Sequence, residues 1–135
     1  MAEVGGLHHL ELWVADLAAA RPAWHWLLSS LGYAVHQDWP AGVSWRRGEA
    51  YIVLEQSAAL LPGSHQRTRP GWNHVALWAG SEAELAALVQ QAPAHGWRLL
   101  FADRHPYAGG PDHHAAYLED GQGHEVELVA QRASS

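Results

Sequence analysis

The chain has 135 residues, 48% hydrophobic and 16% charged, a composition that suits one compact domain with an ordinary core and excludes a disordered chain. Its net charge of −6 and the lack of any clustered Lys/Arg stripe exclude a nucleic-acid partner. With no cysteine, disulfide scaffolds and thiolate metal sites are excluded, so any metal must be held by nitrogen and oxygen.

The N-terminus, Met1-Ala2-Glu3-Val4, lacks the basic region and apolar run of a secretory signal. No apolar run approaches the roughly 20 residues that span a bilayer. The expectation is a soluble, cytoplasmic protein with no membrane partner. Eight tryptophans and eleven histidines stand out in so short a chain. Core filling is the ordinary use of large aromatics, but several of these sit where they could line a cavity.

Residues 7–14 alternate as a strand, with Leu10, Leu12 and Val14 on one face and His9, Glu11 and Trp13 on the other. Asp16 ends this strand. A helix is predicted from about Ala20 to Leu31, with Pro22 tolerated only in its first turn and Trp24, Leu27, Leu28 and Leu31 as the buried stripe. Gly32 suits its C-terminus. Strands follow at Tyr33 to Asp38, Val43 to Arg47 and Tyr51 to Gln56, separated by turns at Trp39 to Gly42 and Gly48-Glu49. Ser57 to Gly71, with two prolines and two glycines, reads as a linker.

Gly71-Trp72-Asn73-His74-Val75-Ala76-Leu77-Trp78 then opens a second copy of the first pattern. His74 overlays His9, Val75 overlays Leu10, Leu77 overlays Leu12 and Trp78 overlays Trp13. Ser81-Glu82-Ala83-Glu84 is a capping box, and Leu85, Leu88 and Val89 supply the buried stripe of a helix ending near Gly96. Strands are predicted at Trp97 to Ala102, His113 to Leu118 and His124 to Val129, and a frayed tail from Gln131. The loop from Asp103 to Asp112 carries Gly109-Gly110, whose conformational freedom would suit a gate over a cavity.

The fold class predicted is α+β: two βαβββ modules forming a cupped mixed sheet, with the helices on its outer face. Module 1 covers about 7–56, the linker 57–71 and module 2 about 72–130, all within one domain. A repeat of half the chain points to a duplicated module rather than a solenoid.

Each copy begins on a histidine and ends on an apolar run with a carboxylate, Val53-Leu54-Glu55 and Val126-Glu127-Leu128. Strand alternation turns His9, Glu55, His74 and Glu127 away from the helices and toward the cavity. Two imidazoles and two carboxylates suit a divalent ion such as Zn, Ni, Fe, Mn or Co. Trp13, Trp45 and Trp78 would give the cavity aromatic walls, and His113 with Tyr117 faces it from the seventh strand. Arg104, with Arg46 and Arg47, is a candidate anchor for an anionic substrate group.

On His9 with Val14-Ala15-Asp16-Leu17, on Asn73-His74-Val75-Ala76-Leu77, and on Glu119-Asp120-Gly121-Gln122-Gly123-His124-Glu125-Val126-Glu127-Leu128, the chain resembles the vicinal oxygen chelate superfamily from about Leu7 to Ala130. That superfamily includes glyoxalase I, extradiol dioxygenases and the fosfomycin and bleomycin resistance proteins. The resemblance implies paired βαβββ modules around a divalent metal, and often a homodimer. By position His9, Glu55, His74 and Glu127 match its four-ligand pattern. His9, His74 and Glu127 match its three-ligand pattern, which leaves Glu55 free as a base. Glu55 or Glu127 would be the catalytic carboxylate. The function implied is a lyase, isomerase or dioxygenase acting on a small molecule with vicinal oxygens. The alternative is a metal-free protein that sequesters a drug or metabolite.

Overall fold

The computed structural model describes residues 2–132 and divides into two compact units, Met1–Ser64 and His65–Ser135. Of the frayed tail expected from Gln131, residues 133–135 lie outside the described residues.

The first unit runs β1 (His9–Trp13), α1 (Leu17–Ser30), β2 (Ala34–Trp39), β3 (Gly42–Arg47) and β4 (Ala50–Glu55), with sheet order β1-β4-β3-β2. β1 lies parallel to β4, and the two hairpins that follow are antiparallel. Helix α1 starts three residues before the predicted Ala20, because Asp16 is its cap and accepts the Ala19 N–H at 3.2 Å. Gln56 supplies a second cap from β4's far end, taking the Leu17 N–H at 2.8 Å.

Pro22 therefore sits in the second turn, not the first, and the Ala18 carbonyl loses its helical partner. Both residues are exposed, so water can satisfy that carbonyl. At the other end Gly32, at φ +92, lets Tyr33 donate to Leu28 O at 2.9 Å and Gly32 donate to Ser29 O at 3.1 Å, a Schellman stop. Trp24, Leu27 and Leu28 are fully buried as the periodicity predicted, while Leu31 at the helix end is only half-buried; α1 packs on β3 and β4, whose Val43, Trp45, Ile52 and Leu54 are buried.

The second unit repeats the order: β5 (His74–Trp78), α2 (Glu82–Gln91), β6 (Arg98–Leu100), β7 (Ala115–Glu119) and β8 (Glu125–Val129), paired β5-β8-β7-β6. The capping box forms as predicted, with Glu84 N–H donating to Ser81 Oγ at 3.1 Å and Ser81 N–H to Glu84 Oε1 at 3.2 Å. α2 stops at Gln91, short of the predicted Gly96, because Pro93 cannot continue the ladder. The chain instead tightens into a 3₁₀ turn over Ala92–His95 and reverses at Gly96.

β6 is shorter than the predicted Trp97 to Ala102, since Phe101 takes φ +54 and ends the strand. Among the described residues no helix is long and apolar enough to cross a membrane. The α+β class and the two βαβββ modules are as the sequence predicted.

Candidate functional site

In the second unit the pairing register decides which side chains can meet. β8 pairs with β5 through His74↔Glu125 and Ala76↔Glu127, and with β7 through Tyr117↔Glu127 and Glu119↔Glu125. Residues paired across strands share a face, so His74, Glu125, Glu127, Tyr117 and Glu119 stand together. Val126, Leu128, Ala116 and Leu118 form the opposite, wholly buried face.

Glu127 is the hub. The residue is 6% exposed, and its Oε1 lies 3.0 Å from His74 Nε2 while His113 Nε2 meets Oε2. The Tyr117 ring packs edge-on to His74 with centroids 5.9 Å apart. Burial pushes the Tyr117 phenol above its ordinary pKa, and the charges of Glu127 and Glu125 push it further, so the hydroxyl stays protonated at neutral pH.

The other ring nitrogen of His74 is tied down as well. Nδ1 lies 2.6 Å from Asn73 Oδ1, and Asn73 Nδ2 donates to the Arg67 carbonyl at 2.9 Å. Arg67 also crosses the sheet, with Nη1 at 3.1 Å from Glu125 Oε1 and Nε at 3.6 Å from Glu119 Oε2. The Glu125 pair is a charge contact without hydrogen-bond alignment, since Oε1 has no hydrogen-bond partner. Burial raises the Glu125 pKa, and Arg67 and His74 offset that only in part.

A cavity of about 640 Å³ opens beside this cluster, at the Trp78 end of β5. Trp78, Tyr107 and Pro111 give it apolar walls, and Glu82, His113 and His114 supply polar groups. Its size is that of ordinary small-molecule sites. His74 and Glu127 do not line it; His113 is the side chain common to cavity and carboxylate hub.

The model of the Glyoxalase/Bleomycin resistance protein/Dioxygenase superfamily matches residues 8–117. The chain belongs to this superfamily. It is 42% identical over 125 residues to the uncharacterized protein YqjT of Bacillus subtilis strain 168, covering 92% of this chain and 98% of that protein. A solved structure of a candidate glyoxalase from Bacillus halodurans is 39% identical, with a TM-score of 0.89 over 94% of this chain and 96% of that one. Lactoylglutathione lyase from Agrobacterium tumefaciens, at 17% identity, TM-score 0.63 and coverage of 93% and 92%, shares the fold.

The four ligands expected of a glyoxalase-superfamily chain fall two and two, His9 and Glu55 in the first unit, His74 and Glu127 in the second. Within the first unit His9 and Glu55 are not neighbours. His9 pairs with Tyr51 and stacks on its ring at 4.9 Å between centroids, whereas Glu55 pairs with Trp13, four residues or about 13 Å further along the strands.

The register also corrects the repeat. His9↔Tyr51 answers His74↔Glu125, so the counterpart of Glu127 is Val53, and the counterpart of Glu55 is Val129. The apolar runs around the two glutamates resemble each other, but their frames differ by two residues. Among the described residues no group of three His, Asp or Glu side chains is arranged to hold a metal ion.

The aromatic assignments divide. Trp78 lines the cavity, as expected. Trp45 does not line one: it is fully buried, pairs with Ile52 on the helix-covered face, and its indole N–H donates to His25 Nδ1 at 3.0 Å. Its place in the strand Val43 to Arg47 gave the wrong face because Val43 and Trp45, not Ser44 and Arg46, carry the apolar alternation. Trp13 is 42% exposed and donates to Glu11 Oε2 at 2.7 Å. Arg104 stands over the Phe101 ring at 5.2 Å, and Phe101 packs on Tyr117.

His113 lines the cavity as expected, but from two residues before β7, which begins at Ala115 and not at His113; Tyr117 does not line the cavity and stands beside Glu127 on the sheet face. The Arg67 brace was missed, since it comes from a stretch with no period; the signal available was only Asn73 next to a candidate ligand.

Proposed function

We propose that this chain is a divalent-metal-dependent enzyme of the glyoxalase and dioxygenase type, acting on a small molecule with adjacent oxygens as a lyase, isomerase or dioxygenase. One observation carries the proposal. The Asn73 amide spends its nitrogen on the Arg67 carbonyl and turns its oxygen to His74 Nδ1, so in the neutral ring Nδ1 holds the proton and Nε2 aims a lone pair at Glu127. A lone pair facing a carboxylate needs positive charge beside it, from a second ring proton or from a bound cation, and the donor set of imidazole and carboxylate suits a divalent ion.

Within the second unit, His74 and Glu127 are the residues that would hold it. When bound, the ion supplies Lewis acidity toward charge developing on the two substrate oxygens. His113 holds the second oxygen of Glu127 and orients that carboxylate. The Tyr117 hydroxyl, kept protonated, would donate to Glu127 and help orient that carboxylate. Trp78, Tyr107 and Pro111 offer flat apolar walls to the rest of the molecule.

Metal analysis of protein purified without an affinity tag tests this. About one divalent ion per site is expected, lost in His74→Ala and kept in His95→Ala. Equal retention in both variants would refute the assignment. Turnover is then sought with 2-oxoaldehydes and catechols.

The second reading is a metal-free protein that sequesters a small molecule. It is favoured by the lack of any three-residue metal group among the described residues. It predicts ligand binding in the Trp78 cavity that chelators do not affect.

A further inference from the structure

We infer that Asn73 is a positioning residue that fixes the tautomer of His74, and that the Arg67 backbone carbonyl fixes Asn73 in turn. An imidazole with two free nitrogens can carry its proton on either one. Beside a carboxylate the ordinary choice is Nε2–H donating to Glu127, which would close the ring's lone pair away from the site. The geometry here opposes that choice.

Asn73 could present either its oxygen or its nitrogen to His74, because the amide can be turned over. The carbonyl of Arg67 settles the matter, since it can only accept, and it takes the Asn73 Nδ2 donor at 2.9 Å. Oδ1 is thereby left facing His74 Nδ1 at 2.6 Å, and a carbonyl oxygen accepts only from a protonated nitrogen. Glu125 Oε2, 3.7 Å from the same Nδ1, adds negative charge on that side and favours the same proton. In the neutral ring the lone pair is then left on Nε2, directed at Glu127 Oε1 at 3.0 Å.

Arg67 itself is anchored at both ends of its reach. Its guanidinium lies against Glu125 and Glu119, and Arg98 Nη2 approaches the same Glu119 oxygen at 3.3 Å. The backbone carbonyl that orients Asn73 is thus fixed by the sheet it serves. The tautomer of one imidazole is set three residues deep, by groups that touch neither substrate nor ion.

This inference deepens the proposed function, and its first readout does not depend on it. The experiment is a long-range 1H–15N correlation of the His74 ring in the wild-type protein, Asn73→Ala and Asn73→Asp, recorded in alkaline buffer where an unassisted imidazole is neutral. Zinc affinity is measured on the same three samples. Asn73 is exposed, so both variants should fold, and their amide spectra verify it.

Wild type is expected to carry the proton on Nδ1. Asn73→Ala should lose it from Nδ1. Asn73→Asp, which keeps an acceptor oxygen, should restore it. Zinc affinity should fall by about 10–100-fold in Asn73→Ala and stay within a few-fold in Asn73→Asp. An unprotonated Nδ1 in wild type, or a proton retained there in Asn73→Ala, would overturn the inference. Nδ1 protonation that follows the acceptor while even wild type takes up no zinc upholds the role of Asn73 and removes the metal from the proposed function.

Discussion

Gly109 offers the sharpest test of how the loop before β7 supports the site. A Cβ added there would lie 2.5 Å from Tyr117 Oη and 2.9 Å from His113 Cδ2. Ordinary contact begins at 3.4 Å, so Gly109→Ala must separate the loop from the phenol oxygen by 3.4 − 2.5, or 0.9 Å, and from the imidazole by 3.4 − 2.9, or 0.5 Å. Neither neighbour is a freely swinging end: Tyr117 is seated in β7 and His113 is bonded to Glu127.

Overpacking of this kind costs about 1–3 kcal/mol. A chain of this size loses about 4 °C of Tm per kcal/mol. The consequence for function is larger, since displacement of a site group by about 1 Å can lower turnover by about 10²-fold. Gly110→Ala is the matched control. It has open space around its Cβ and φ +133, so its cost is backbone strain of about 1–3 kcal/mol without a clash at the site.

Both variants should melt earlier by calorimetry. Only Gly109→Ala should shift the ring signals of Tyr117 and His113 by NMR. Wild-type melting and unchanged ring signals in Gly109→Ala would refute the steric argument, as would an equal disturbance from Gly110→Ala.

Three further outcomes follow from other parts of the chain. Trp45→Phe should cost about 1–3 kcal/mol in urea unfolding, because it shrinks a fully buried side chain and strands the His25 acceptor, whereas Trp13→Phe should cost under about 1 kcal/mol. Burial, then the neighbouring His114, lowers the pKa of His105, so below the ordinary imidazole value of about 6.5 the unfolded chain binds a proton that the folded chain refuses. Stability should therefore fall as pH drops through that window and reach its plateau below the folded pKa, and His105→Gln should flatten this part of a Tm-against-pH curve. Each four-stranded sheet leaves two strands bonded on one side only, and a homodimer would cover such edges; sedimentation showing only monomer at micromolar concentration would count against it.

Much of this architecture was legible in the sequence because alternation and capping are local. Ser81 and Glu84 announced α2 unaided, and the period-2 rule placed His74, Glu127 and Tyr117 on one face. What failed was what depends on partners far along the chain. Asp16 and Gln56 extend α1 past the limit that Pro22 suggested, and Gln56 lies 39 residues away. Trp45 looked like a cavity wall until its hydrogen bond to His25 and its pairing with Ile52 put it under the helix. Strand register cannot be read from a single strand, so the apparent match of Glu55 to Glu127 could not be tested until both pairings were known. The glycine pair was noticed for its freedom, yet only Gly110 uses a positive φ; Gly109 is there because nothing larger fits.

The two-residue difference in frame assigns different tasks to the two carboxylates. In the second unit the position diagonal to the histidine is Glu127, and in the first it is Val53, which cannot ligate. The diagonal position thus holds a carboxylate only in the second unit, and in the first unit Glu55 stands beside Trp13, half-buried and uncommitted. A carboxylate with that freedom is suited to removing a proton next to a carbonyl. Glu55→Gln keeps the shape and abolishes the basicity, so metal content should match wild type while turnover falls by about 10²–10⁴-fold. Glu127→Gln should instead lose metal and activity together, since it removes the charge that His74 and His113 both address. Loss of metal in Glu55→Gln would return Glu55 to the ligand set and defeat the register argument. Wild-type turnover in Glu55→Gln would remove it from the chemistry altogether.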